Sequence, residues 1–218
     1  MTTINDDAGD GGEQGGGILR GLFGPSKREV WQLLAGQVGG AFVDGGFFGR
    51  DKVIVNHGQW TLTLDTYTVS NGKSSSTFTR LRAPYVNRDA FRFSVYRSGL
   101  FTPLGEMLGF TDIRTGDAVF DEAFVLKGNN EAKVRALFSD ATIKQLLEAQ
   151  PRVRFEVKDD EGWFGAHFPA GVDELNFTAY GVIKDLDRLR ALFDLFAEVL
   201  HQLCVIGSAY ESDPGVQL

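Results

Sequence analysis

The chain contains a single cysteine, Cys204, so no disulfide can form within it. Cys204 falls in an apolar helical pattern, which points to burial rather than to a reactive thiolate. His201 stands three residues before it on nearly the same helical face, and the leucines and phenylalanines around the two make this a core pair rather than a catalytic dyad. Histidine is scarce as well. His57, His167 and His201 are far apart and none shows HxH or HxxxH spacing, so no metal site is read. The Asp159-Asp160-Glu161 cluster reads as a solvated turn. No apolar run approaches the roughly 20 residues of a spanning helix, and no membrane insertion is expected. The opening MTTINDDAGD is acidic and polar, the reverse of a secretory signal, which makes the cytoplasm the expected location. GxSxG is absent. The glycines before Ser26 lack the GKS or GKT of a phosphate loop and no strand leads into them, so no nucleotide or other cofactor is expected. Basic residues are short too. Lys and Arg number 22 against 29 Asp and Glu, a net charge of −7, which disfavours nucleic acid and anionic membrane surfaces as partners.

Phenylalanine is abundant, with 18 copies in 218 residues, and such enrichment marks core or interface. Residues 1–17 are rich in glycine and acid with almost nothing apolar, and are expected to form a disordered tail. A single α+β domain is expected over 18–209, with sub-units 26–110 and 115–209 as an open alternative, and 210–218 as a loose end.

Helix signals are sharp in places. Ser26 and Glu29 fit a capping box, followed by an apolar stripe of Val30, Leu33, Leu34 and Val38 with Trp31 beside it, closed by Gly39-Gly40. Asn129 or Asn130, and Ser139 or Asp140, can cap two short helices before Pro151. Asp185 can cap a long one. There Leu186, Leu189, Phe193, Phe196, Leu200 and Leu203 form a heptad-like seam, and Leu192, Leu195, Val199 and Ile206 a second stripe. Two stripes exceed the face of a surface helix, so this helix is either sandwiched in the core, which the width favours, or shared with a second copy as a homodimer seam.

Strand signals fill the space between. Residues 52–56, 59–69, 76–86 and 90–97 alternate and read as an antiparallel meander with one wet face, turning at Asn71-Gly72 and ending one strand near Pro84. A short helix is expected near Leu104–Leu108, and further strands at 120–128, 152–157, 163–168 and 174–183. The order is not a strict βαβ alternation. It predicts an α+β fold: a mainly antiparallel twisted sheet or sheets, an N-terminal helix, two short middle helices and one long C-terminal helix.

Two surfaces invite a binding role. Arg80, Arg82, Arg88, Arg92 and Arg97 interleave with Phe78, Tyr85 and Tyr96 as a base-stacking sheet would. The acidic balance and the missing RNP pattern favour a solvated sheet face instead. Trp60, Phe91, Trp163 and His167 are candidates for an aromatic ligand pocket.

The runs WTLTLDTYTVSNGKSSSTFTRLRAP, FRFSVYR, DIRTGDAVFDEAFVLKGNN and ALFSDATIKQLL resemble a family of uncharacterised bacterial proteins over about residues 27–213. Its members share a strand-rich half, a "GD…FD…F.VKG" junction and a terminal leucine-rich helix. Asp117, Phe120, Asp121 and Phe124 carry that junction here. The family has no assigned activity, so the resemblance implies no catalytic residue, and Asp117 and Asp121 are read as turn caps. The expected function is a non-catalytic protein-interaction or scaffold module, with a small-molecule or lipid-like ligand carrier as the alternative and a hydrolase least favoured.

Overall fold

The computed structural model describes residues 24–46, 49–70, 72–99, 110–159, 167–216 and 218. Ten strands form one antiparallel sheet: β1 (Ala41–Val43), β2 (Lys52–His57), β3 (Trp60–Ser70), β4 (Ser75–Asn87), β5 (Phe93–Arg97), β6 (Asp112–Ile113), β7 (Phe124–Gly128), β8 (Arg154–Lys158), β9 (Val172–Tyr180) and β10 (Ala209–Tyr210). Their order across the sheet is β1-β2-β3-β4-β9-β8-β5-β7-β6, with β10 paired to β4. Five helices accompany it among the described residues: α1 (Lys27–Gln37), α2 (Ala118–Ala123), α3 (Glu131–Leu137), α4 (Ala141–Glu148) and α5 (Leu186–Val205). This is the α+β, antiparallel arrangement with a long C-terminal helix that the pattern predicts. No helix among the described residues is long and apolar enough to cross a membrane.

The caps follow the local chemistry. The Ser26 side chain accepts from the Glu29 amide while the Glu29 side chain accepts from the Ser26 amide. Asn130, Asp140 and Asp185 each cap their helix by accepting from the backbone three residues on. The buried face of α1 is Val30, Trp31, Leu34 and Ala35, and Leu33 is exposed. Trp31 sits inside rather than beside the stripe, and its indole donates to the Ile183 carbonyl at 3.1 Å.

Four expectations are corrected. The meander stops at β4, and β5 joins the far half of the sheet between β8 and β7. The cause is the turn after β4. There Asn87 donates to the Phe91 carbonyl and accepts from the Asp89 and Phe91 amides, Ala90 takes a positive φ of 54°, and Asn129 donates to the Ala90 carbonyl. Second, β4 runs through Pro84. Pairing with β3 ends at Arg82 and pairing with β10 begins at Val86, so the missing N–H falls in a gap between the two partners. Third, residues 120–123 are helical, giving a third short helix, because Asp117 caps α2 by accepting from the Phe120 amide. Fourth, the partner of β8 on the β4 side is β9, and residues 167–168 are not in a strand. The tail 1–17, Asn71, the helix near Leu104–Leu108, Asp160, Glu161 and residues 163–166 lie outside the described residues.

Strand alternation divides the sheet into two unlike faces. Leu62, Leu64, Leu81, Ala83, Phe93, Val95, Phe155, Val157, Leu175 and Phe177 point one way and share one apolar cluster with the buried residues of the helices. The aromatic centre of that cluster runs from Phe138 through Phe93 and Phe155 to Phe196, with ring centroids 5.4 to 5.6 Å apart. Both stripes of α5 belong to it. Leu189, Phe193, Phe196, Leu200 and Leu203 are buried and Leu186 packs against the cluster. The seam is thus occupied by this chain's own sheet and helices.

Candidate functional site

The opposite sheet face is charged, and it is not the solvated face expected. Thr63, Asp65, Arg82, Ser94, Glu156, Glu174 and Asn176 all point to it and all are buried. Cross-strand pairing puts complementary groups side by side. Arg80 grips Asp65 with Nε and Nη2, each at 2.9 Å, and Arg82 Nη2 donates to the same carboxylate at 2.8 Å. One strand further, Asn176 donates to Glu174 at 2.7 Å and accepts from Thr178 at 3.1 Å. On β8, Arg154 donates to Glu156 at 2.9 Å while Lys158 lies 3.4 Å from its other oxygen. Burial pushes the Asp65 carboxyl up, but the hydrogen bonds from Arg80 and the charges of Arg82 and Arg80 outweigh it and hold the group below the usual range.

Two of these groups are layered, whereas Arg82 is as buried as Asp65. The side chains of Arg154 and Lys158 are 36% and 34% exposed, against 5% for Glu156. Arg80 is more exposed than Asp65 in the same way. Asp65 and Glu156 lie beneath, and Arg80, Arg154 and Lys158 are their more exposed partners. At the end of this face stands an aromatic group. Tyr67 stacks on Phe78 at 5.2 Å, Phe78 meets Tyr180 edge-on at 5.7 Å, and the Arg80 guanidinium lies 5.1 Å over Tyr67. Thr178 hydrogen-bonds the Tyr67 hydroxyl. Tyr180 and Val69 are more than half exposed, and Val182, two residues beyond Tyr180, is exposed as well. Arg154 stands directly opposite Thr178, two residues from Tyr180.

Of the residues expected to form an aromatic pocket, Trp60 and Phe91 lie in the core and not on this surface. Trp60 is in the core, stacked on an exposed His57 at 6.4 Å, and its indole N–H has no acceptor. Phe91 is in the core against Phe93, under the Lys133 ammonium at 5.9 Å. His167 is exposed, and Trp163 lies outside the described residues. A cleft of about 230 Å³ opens beside His57, over Val55, Leu62 and Phe193, with Arg190 and Asp194 at its rim. Cys204 is half-buried, and burial together with the Glu211 charge pushes its thiol up, so it stays protonated. The other arginines of the stacking pattern are engaged within the chain. Arg92 pairs with Asp159, Arg97 donates to the Gln150 and Glu148 carbonyls, and Arg88 lies over Tyr210.

A second polar group escaped the sequence reading. Asp173, on the apolar face at the end of β9, accepts from Asn87 Nδ2 at 2.5 Å and lies 3.8 Å from Arg92. Burial and the Asp159 charge raise its carboxyl, only partly offset by Asn87 and Arg92. Its cross-strand neighbour Tyr85 is fully buried, and its hydroxyl has no partner. Only the register of β4 on β9 brings these groups together, so no local spacing announces them.

No protein-family model matches the chain, and no curated protein matches it. Among solved structures it is similar to the crystal structure of the mycobacterial trehalose monomycolate transport factor A, TtfA. The TM-score is 0.46 and the identity 10%, with 81% of this chain and 95% of that chain covered.

Proposed function

We propose that this chain is a non-catalytic protein-interaction module that binds an acidic segment of a partner, carrying an apolar anchor, across the charged sheet face. The carrying observation is the layering of that face: Asp65 and Glu156 are buried under the more exposed Arg80, Arg154 and Lys158, and Arg154 stands opposite Thr178, two residues from the exposed Tyr180. Tyrosine and arginine on a rigid base are the composition of interface hot spots. The buried network fixes their positions before any partner arrives, which lowers the ordering cost of binding. The cations would meet the acids of the partner, and the Tyr67–Phe78–Tyr180 group would take its anchor. The net charge of −7 opposes a polyanion such as nucleic acid as the occupant.

A random peptide library displayed on phage tests this reading. Selected peptides are expected to share an apolar or aromatic anchor flanked by Asp or Glu. Binding of the selected peptides should weaken about tenfold or more in Tyr180→Ala and in Arg154→Ala, with the melting temperature unchanged in Tyr180→Ala. Selected peptides with no acidic bias, indifference to both substitutions, or tighter binding of a single-stranded oligonucleotide that depends on Tyr180 would each overturn it.

A further inference from the structure

Ala118 and Asp121 of the junction, with Glu122 after them, line one side of a cleft of about 530 Å³ between α2 and the sheet edge made by β6 and β7. That volume falls in the range of small-molecule sites. The Asp121 carboxylate holds the wall in place. Its Oδ1 accepts from the Thr115 amide at 2.8 Å and the Thr115 hydroxyl at 2.9 Å, and its Oδ2 accepts from the Gly116 amide at 3.0 Å. Arg114 Nη1 donates to the Asp121 carbonyl, and Arg135 Nε donates to the Arg114 carbonyl at 2.9 Å. Lys144 pairs with Asp117 at 2.9 Å on the flank. The cleft is therefore shaped without a ligand.

We infer that this cleft binds a small organic amine, an ammonium group on an apolar body. Ile113, Phe124 and Leu126 supply the apolar lining. Asp112 and Glu122 supply the negative charge at the rim, and Arg114 is the lining cation among the described residues. Asp112 is 61% exposed and lies 3.6 Å from Lys127, a loose contact, and no ion pair engages Glu122 among the described residues. The oxygens of Asp121 are turned to the wall, but its charge adds to the same field. Among the described lining residues the acids Asp112, Asp121 and Glu122 thus outnumber Arg114 around an apolar hollow, which selects a cation over an anion and a partly apolar ligand over an inorganic ion. The site lies at the sheet edge and does not depend on the charged face proposed above.

Calorimetric titration of the full chain with phenethylamine tests the inference, with 3-phenylpropionate and phenethyl alcohol as the anionic and neutral controls and methylammonium as the cation without a body. Phenethylamine is expected to bind with a Kd of order 1 mM or tighter, to weaken as salt rises, and to bind at least about tenfold better than either aromatic control. The double variant Asp112→Asn/Glu122→Gln, both positions being exposed, should keep its melting temperature and lose that preference. Equal binding of the three aromatic probes, unchanged binding in the double variant, or no saturable binding of phenethylamine overturns the inference. A lysine-containing peptide binding where phenethylamine does not would also overturn it, by making the occupant a polypeptide.

Discussion

Arg82 reaches diagonally across β3 and β4 to Asp65 at 2.8 Å, with 4% and 3% of their side chains exposed. Arg80 completes a two-arginine grip on the one carboxylate. Such a pair is not evidence of large net stability, because desolvation offsets the Coulomb attraction. Removing one member is another matter. Asp65→Ala leaves two cations without their shared acid, one of them buried, and is expected to cost about 3–5 kcal/mol in a urea melt. Replacing Asp65 and Arg82 together by Leu and Met should cost less than Asp65→Ala alone. A double variant as unstable as the sum of the two single ones would show that the pair is not coupled.

Asp173 carries the opposite sign. Its folded-state pKa is raised, so between the unfolded value near 3.9 and the folded value the native state binds more protons. Its contribution to stability therefore falls as pH rises through that window, and the cost is fully present at neutral pH. Asp65, whose folded-state pKa is lowered, contributes stability above the unfolded value and loses it as pH falls through the folded one. Asp173→Asn keeps an oxygen to accept from Asn87, and Arg92 keeps Asp159 at 2.9 Å. The variant should match or exceed the parent in stability at pH 7, and the gain should shrink toward pH 4. A loss at pH 7 that is independent of pH would contradict the raised pKa.

Tyr85 lies fully inside the core with no acceptor or donor for its hydroxyl, and burial, with the Asp173 and Asp89 charges, raises its pKa well above the usual phenol value. A buried unpaired hydroxyl is a cost of about 1–3 kcal/mol. Tyr85→Phe keeps the ring and removes the oxygen, so the stability measured by thermal melting is expected to stay level or rise by up to about 1 kcal/mol. A drop of more than about 1 kcal/mol would reveal a hydrogen bond made by that oxygen, through a bridging water for example.

Much of the architecture is written in local pattern. Ser26 with Glu29, Asp140 and Asp185 announce their helices because a cap is a contact three residues long. Alternation along β3 and β4 assigns each side chain to a face, and Asn130 marks the start of α3. Strand order is a different kind of information. Nothing near Phe93 says that β5 leaves the meander for a place between β8 and β7; Asn87 and Asn129 enforce it through a tied turn. The charged face was misread for the same reason. Arg80 and Arg82 look solvated when β4 is read alone, and only the register with Asp65 on β3 shows them paired. Trp60 and Phe91, aromatic candidates for a pocket, are core residues because alternation or the tied turn points each inward.

The glycine that closes the junction allows the last prediction. Gly128 ends β7 with an ordinary backbone, so it is not there for a left-handed turn. A β-carbon at this position would lie 2.5 Å from Val134 Cγ2 and 2.9 Å from the Arg92 carbonyl oxygen. The Val134 methyl can rotate away only into a packed core, and the Arg92 carbonyl is fixed because it accepts from the Asn129 amide at 3.1 Å. Gly128→Ala must therefore push α3 off β7 or loosen the turn held by Asn129. Overpacking of this kind costs about 1–3 kcal/mol, and amide exchange should quicken in α3 before it does in β4 or β9. If Gly128→Ala folds as stably as the parent with exchange unchanged in α3, then the close approach of α3 to this strand is not what the junction glycine secures.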